Sequence, residues 1–247
     1  MKIVVVIPAR YGSSRFEGKV LAKETGKYLV QHTYERALCA KSVDEALIAT
    51  DDERVLAACR EFGAACVMTS IEHQSGTDRI AEAVARMEVD ILVNLQADEP
   101  DIEPDYIDLV ASLLTANRTA QMATLLAPFE NPTDVANPNI VKCITDTTDR
   151  AIYFSRSVIP YDRQAGGVGQ VSDYKRHLGI YAYRKDFLMA YTAMAPSFLE
   201  QRERLEQLRA IENGCTILTA TVPKAWDGVD TQEQYQAFVQ RMLQENN

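Results

Sequence analysis

The sequence predicts an α/β protein built on a largely parallel, doubly wound sheet with helices on both faces. Three observations carry that expectation. Residues 3–7, Ile-Val-Val-Val-Ile, form an unbroken apolar run closed by Pro8, the pattern of a strand buried on both faces. Short apolar runs then alternate with segments of helical period as far as about residue 120. Polar clusters, one of them glycine-bearing, recur directly after the predicted strands, where open parallel sheets place their ligands. A strand–helix–strand rhythm of this kind implies parallel strands joined by crossover helices.

The elements follow in order. Residues 30–40 carry helical periodicity, and 45–50 (Glu-Ala-Leu-Ile-Ala-Thr) read as a second strand ending at Asp51-Asp52. Either aspartate could cap a helix running to Phe62. A third strand is predicted at 64–68, a helix from Gly76 to Met87 and a fourth strand at 90–96, and Pro104 suits the first turn of the next helix. Past residue 120 the rhythm changes, with strands expected at 122–127, 140–144, 177–183 and 215–222 and helices at 203–212 and 231–244. The Gly-rich stretch Asp162–Asp173 reads as a mobile surface loop. No repeat or linker interrupts the 247 residues, so one domain with an embedded subregion is the simplest organisation.

Composition narrows the function. The net charge of −9 argues against a nucleic-acid or membrane-surface binder, which needs a positive field. No apolar run approaches a membrane span, and the run after Lys2 is too short for a signal peptide, so a cytoplasmic location is expected. The five cysteines have no metal or redox spacing and read as reduced, small hydrophobes.

One local cluster opposes the global charge. Pro8-Ala9-Arg10-Tyr11-Gly12-Ser13-Ser14-Arg15-Phe16-Glu17-Gly18-Lys19 packs three cations and two glycines behind the first strand. Glycine lets backbone approach phosphate oxygens, and Arg and Lys neutralise them. A solvated basic loop is the bland alternative. Lys19 is followed by Val20, so this is no Walker loop. A second cluster, Asn94-Leu95-Gln96-Ala97-Asp98-Glu99-Pro100, sets a carboxylate at a strand end, suited to Mg²⁺ bridging to phosphates or to an ordinary acidic loop. Ala49-Thr50-Asp51-Asp52-Glu53 favours a capped helix over a ligand role, and Ser75 before Gly76-Thr77-Asp78 is a plain capping signal. Arg156 suits a ligand carboxylate by guanidinium geometry, or is simply exposed. Alternation sends His177, Gly179, Tyr181 and Tyr183 to one strand face. Helical spacing gives Leu205 and Leu208 a packing role and points Glu206 and Gln207 elsewhere, while Asp230 in Gly-Val-Asp-Thr reads locally as a helix N-cap.

Together these segments resemble, in order, the motifs of the CMP-Kdo synthetase (3-deoxy-manno-octulosonate cytidylyltransferase) family. The first is similar to its Pro-Ala-Arg-x-x-Ser-x-Arg-x-x-Gly-Lys triphosphate loop, although Phe16, Glu17 and Val20 stand where that family writes Leu, Pro and Pro. Both prolines are lost, which is expected to loosen the loop. Ala97 replaces a glycine of Gln-Gly-Asp-Glu-Pro, a strained substitution if the position needs positive φ. The resemblance implies a Rossmann-like, GT-A-like nucleotidyltransferase fold of one domain, with 1–120 the nucleotide-binding half and 121–247 the sugar-binding and dimerisation half.

It also implies the chemistry. CTP would be held by Pro8, Ala9, Arg10, Ser13, Arg15, Lys19, Ser70, Ser75, Gly76 and Gln96, and Mg²⁺ by Asp98 and Asp230. Gln96, Arg156, His177, Tyr181, Glu206 and Gln207 would hold the acidic 2-keto-3-deoxy sugar. Arg10, Lys19, Asp98 and Asp230 would be the catalytic set of a homodimeric enzyme serving lipopolysaccharide biosynthesis. Synthetases of CMP-sialic acid or an amino-substituted Kdo share this logic, and a non-catalytic nucleotide-binding regulator would keep the fold.

Overall fold

The apolar run after Lys2 becomes an inner strand among the four parallel strands of the sheet. In the computed structural model, which describes residues 1–12, 15–226 and 228–245, β1 (Ile3–Ala9) pairs on one side with β2 (Glu45–Thr50) and on the other with β4 (Ile91–Asn94). β3 (Cys66–Met68) adds to β2, giving the order β3-β2-β1-β4. Val4, Val5, Val6 and Ile7 have no exposed surface, as a strand covered on both faces requires.

The crossovers are α1 (Leu29–Leu38), α2 (Glu53–Glu61) and α3 (Gly76–Val84). Asp52, not Asp51, caps α2, its side chain accepting from the Arg54 amide. Asp51 pairs instead with Arg79 Nη2 at 2.5 Å, and Arg79, fully buried, also donates to Thr69 Oγ1. That motif is therefore structural, as its sequence favours. Ser75 caps α3 through a capping box with Asp78.

The chain divides into two compact units, Met1–Asp108 with Trp226–Asn247, and Leu109–Ala225. The first holds the parallel sheet and, after α4 (Pro104–Ala116) has carried the chain onward, receives residues 226–247 back. The second is mixed. β5 (Met122–Pro128) runs parallel to β9 (Ile217–Thr221) and antiparallel to β8 (Lys175–Arg184), while β6 (Lys142–Thr145) and β7 (Ala151–Ser155) form an antiparallel pair. Among its helices are α5 (Pro132–Ala136), α6 (Lys185–Thr192), α7 (Phe198–Glu203) and α8 (Leu208–Glu212). α9 (Gln232–Glu245) completes the first unit.

Two expectations are corrected here. The helix predicted at 203–212 is two helices, because Arg204 adopts left-handed backbone (φ 55°) and stops α7. Leu205 and Leu208 are buried as expected, but Gln207 is only 4% exposed instead of pointing away from the packed side. Within the Gly-rich stretch Asp162–Asp173, Asp162 and Gly167 exchange backbone hydrogen bonds, and Tyr174 Oη accepts from the Gly169 amide. All five cysteines are free, and no described helix is long and apolar enough to cross a membrane.

Candidate active site

The cationic loop turns back on itself after β1. Gly18 takes left-handed backbone (φ 67°), its amide donates to the Tyr11 carbonyl at 3.0 Å, and a Cβ there would meet the Tyr11 ring at 3.0 Å. Glycine is needed at that point. The turn sets Lys19 at the start of a short 3-10 segment, buried to 9% exposure, with its side chain returned toward the ends of β1 and β4.

There the Lys19 ammonium meets both aspartates. Lys19 Nζ donates to Asp98 Oδ2, to Asp230 Oδ1 at 3.0 Å and to the Val229 carbonyl at 3.0 Å. Arg15 Nη2 lies 2.9 Å from the same Asp230 oxygen. Burial acts to lower the Lys19 pKa, but the charge and hydrogen bonds of Asp98, then those of Asp230, outweigh it and hold the ammonium above its ordinary value. Asp230 is free for this contact because it is not a helix cap. Thr231 caps α9: its hydroxyl accepts from the Gln234 amide, and Gln234 Oε1 accepts from the amides of Asp230 and Thr231. The segment is docked by the Val229 amide on the Asp98 carbonyl at 2.8 Å.

These groups line a cavity of about 390 Å³ together with Pro8, Arg10, Gly12, Gly76, Gln96 and Ala97. Arg10 Nη2 donates to the His73 carbonyl at 2.6 Å, and Gln96 Nε2 to Asn94 Oδ1. A Cβ on Gly76 would stand 3.3 Å from the Pro8 ring, so glycine lets α3 begin against β1. Ala97 is not among the residues at positive φ and is buried, with its carbonyl accepting from Thr33 Oγ1. Its replacement of glycine carries no backbone strain.

The remaining expected nucleotide contacts differ in their surroundings. Ala9 is fully buried in β1. Ser75 Oγ is engaged in its capping box, and Ser70 sits in a turn whose amide donates to Glu82. Ser13 lies outside the described residues.

The donor set fits a magnesium ion. Mg²⁺ takes one or two carboxylates and completes its shell with phosphate oxygens and water. Asp98 and Asp230 share one cation already, three more cationic or amide side chains line the same cavity, and no cluster of three or more His, Cys, Asp or Glu exists among the described residues. A cage made by protein alone is absent there; a site completed by a phosphate-bearing ligand is what the residues provide.

The residues expected to hold a sugar lie in the second unit. Arg156 is engaged by backbone: Nε donates to the Glu203 carbonyl at 2.7 Å, Nη1 to Pro138 at 3.0 Å and Nη2 to Arg204 at 3.3 Å. Of five N–H donors, two remain. Lys142, which no sequence signal marked, is fully buried in β6 and donates to the carbonyls of Asn137, Ile140 and Arg156, holding the bend just past β7 in which Arg156 sits.

His177 and Tyr181 share a face of β8, their rings 5.3 Å apart, despite a bulge opposite Thr124 and Leu125. The Thr124 hydroxyl fills the bulge, donating to the Ile180 carbonyl at 2.7 Å and standing 3.1 Å from His177 Nε2, which makes that nitrogen the donor. His177 keeps some open surface, yet burial of its ring pushes its pKa down to about 3, so it is neutral. Burial likewise raises the Tyr181 phenol well above its ordinary value. The Glu206 carbonyl accepts from Tyr191, and Gln207 Nε2, buried, has no hydrogen-bond partner. A buried amide left so calls for an explanation, since such groups are ordinarily paired.

Comparison with known proteins gives the family. Residues 4–217 match the model of the family described as Cytidylyltransferase. The chain is 46% identical over 250 residues to the 3-deoxy-manno-octulosonate cytidylyltransferase of Geobacter metallireducens, covering 98% of each chain. It is 43% identical over 247 residues to that of Rhodopirellula baltica, covering 98% of this chain and 99% of the other. A solved structure of CMP:2-keto-3-deoxy-manno-octonic acid synthetase complexed with CTP superposes with a TM-score of 0.93 at 43% identity, over 99% of this chain and all of that one.

Proposed function

The chain belongs to the cytidylyltransferase family, and from that premise we propose how its residues move CMP from CTP to the anomeric hydroxyl of 3-deoxy-manno-octulosonate, releasing pyrophosphate. Full-length identity to enzymes of that name supports the substrates. The convergence of Asp98 and Asp230 on one cation, inside a cavity lined by Arg10 and Arg15, carries the mechanism.

The sugar oxygen attacks the α-phosphorus, the bond from that phosphorus to the β-bridging oxygen breaks, and the electron pair leaves with pyrophosphate. Phosphoryl transfer asks the protein for positioning and charge neutralisation more than for covalent chemistry. Arg10, Arg15 and Lys19 neutralise the triphosphate, and Gly76 admits the nucleotide close to the backbone. Asp98 and Asp230 would hold Mg²⁺, which would lower the pKa of the sugar hydroxyl and offset charge at the α-phosphate. Among the described residues of the cavity none stands out as a general base for the hydroxyl proton, a role that metal activation would make unnecessary. In the second unit, the two free N–H groups of Arg156 suit the sugar carboxylate, the neutral His177 and Tyr181 suit its hydroxyls, and the Gln207 amide supplies an unused donor, with Glu206 beside it. A homodimer in the cytoplasm belongs to the same reading.

The test is a pyrophosphate-release assay with CTP, Mg²⁺ and the sugar, repeated with the other nucleotides and with sialic acid and amino-substituted Kdo. Asp98→Ala is expected to lower kcat by about a thousandfold or more while leaving the circular dichroism spectrum unchanged. Wild-type turnover in that variant would remove the metal role.

A further inference from the structure

An ammonium carries three N–H donors, and Lys19 uses all three on the protein's own oxygens: Asp98, Asp230 and the Val229 carbonyl. Its backbone is set by the 3-10 segment and its side chain is largely buried. The function proposed above asks Lys19 for something else, a donor to a phosphate, and it asks the two aspartates to receive a metal. The first requires one of the three contacts to break, and a divalent ion approaching both aspartates meets an ammonium already seated on one oxygen of each.

We propose that Lys19 is an internal cation that competes with the divalent metal for Asp98 and Asp230, so that the carboxylates become a metal site only when a triphosphate draws the ammonium away. The inference rests on the metal-dependent reading and adds a coupling to it. A triphosphate brings acceptor oxygens into the cavity that Lys19 and Arg15 line, and Arg15 also sits on Asp230. Moving both cations to phosphate leaves two unpaired carboxylates, which then favour the metal. Metal and nucleotide each remove an obstacle to the other, and the coupling is reciprocal. The enzyme would therefore load metal with nucleotide and resist loading it alone.

The test uses Mn²⁺ as probe on the full chain, with water-proton relaxation enhancement to report protein-bound rather than nucleotide-bound metal. Lys19→Met and Lys19→Gln are compared with wild type, with and without CTP, and folding is checked by thermal midpoint. Without nucleotide both variants are expected to bind Mn²⁺ about tenfold more tightly than wild type, the ratio for an ammonium holding the site nine-tenths of the time. Adding Asp98→Asn to Lys19→Met should abolish that gain. CTP should raise the wild-type affinity by about tenfold more than it raises that of the variants, whose gain comes only from the phosphate oxygens that complete the shell. Equal Mn²⁺ binding by wild type and both variants without nucleotide would overturn the proposal, and so would a wild-type affinity indifferent to CTP, a measurement that needs no variant. Absence of enzyme-dependent relaxation even with CTP present would instead defeat the metal reading itself, and the coupling with it.

Discussion

The rings of Phe16 and Tyr235 pack with centroids 5.6 Å apart, joining the cationic loop to the first turns of α9. Phe16 sits against a cluster of Leu29, Val229, Tyr235, Phe238 and Val239, and the Tyr235 hydroxyl accepts from the Glu24 amide at 2.9 Å just past the loop. Phe16 thus anchors the cationic loop to α9 by an aromatic contact.

Phe16→Ala is accordingly expected to destabilise the fold by about 1–3 kcal/mol, less than a fully buried phenylalanine because Phe16 is only partly covered. It should also raise the KM for CTP, with Phe16→Leu restoring most of both. Chemical denaturation beside steady-state kinetics checks it; a stability loss with unchanged CTP kinetics would separate the anchor from the site.

Arg156→Ala is expected to raise the sugar KM at least about tenfold while leaving the CTP KM within about twofold, and Arg156→Lys should not rescue it, since a point charge cannot reproduce a planar fork. Three carbonyls lose a donor in the alanine variant, costing about 1–3 kcal/mol of stability. A defect confined to CTP would contradict the assignment.

His177 yields a pH prediction whose sign follows from burial. Its folded pKa lies near 3, below the ordinary 6.5, so the unfolded chain takes up a proton across that interval and the folded chain does not. Stability from this group is complete above pH 6.5 and declines as the pH falls toward 3, by at most about 1.4 kcal/mol per unit. Urea midpoints between pH 7 and 4 should fall more steeply for wild type than for His177→Gln; parallel profiles would show the imidazole to be freely titrating.

Much of the fold was legible where one physical signal dominated. The second strand spans 45–50 as read, because an apolar run is bounded there by a capping aspartate. Signals weakened where elements were short: α5 has five residues and α6 eight, too few to show a helical period. The break at Arg204 had no announcement, since a left-handed arginine leaves no mark in composition. The role of Asp230 was open only because the aspartate drew attention; Thr231 with Gln234 three residues on is the stronger cap signature, and reading it first frees the carboxylate. Lys142 was invisible because a lysine near a strand normally reads as exposed, and only the tertiary structure reveals its three carbonyls.

The return of residues 226–247 to the first unit has a consequence for biosynthesis of the protein. A ribosome that has delivered Lys19 and Asp98 has delivered a cation with one of its two carboxylates, and Phe16 without its aromatic partner. The nucleotide pocket can close only after translation has passed α9, so partial chains are expected to be inert toward CTP, and a nascent chain exposes the Phe16 face to chaperones until then.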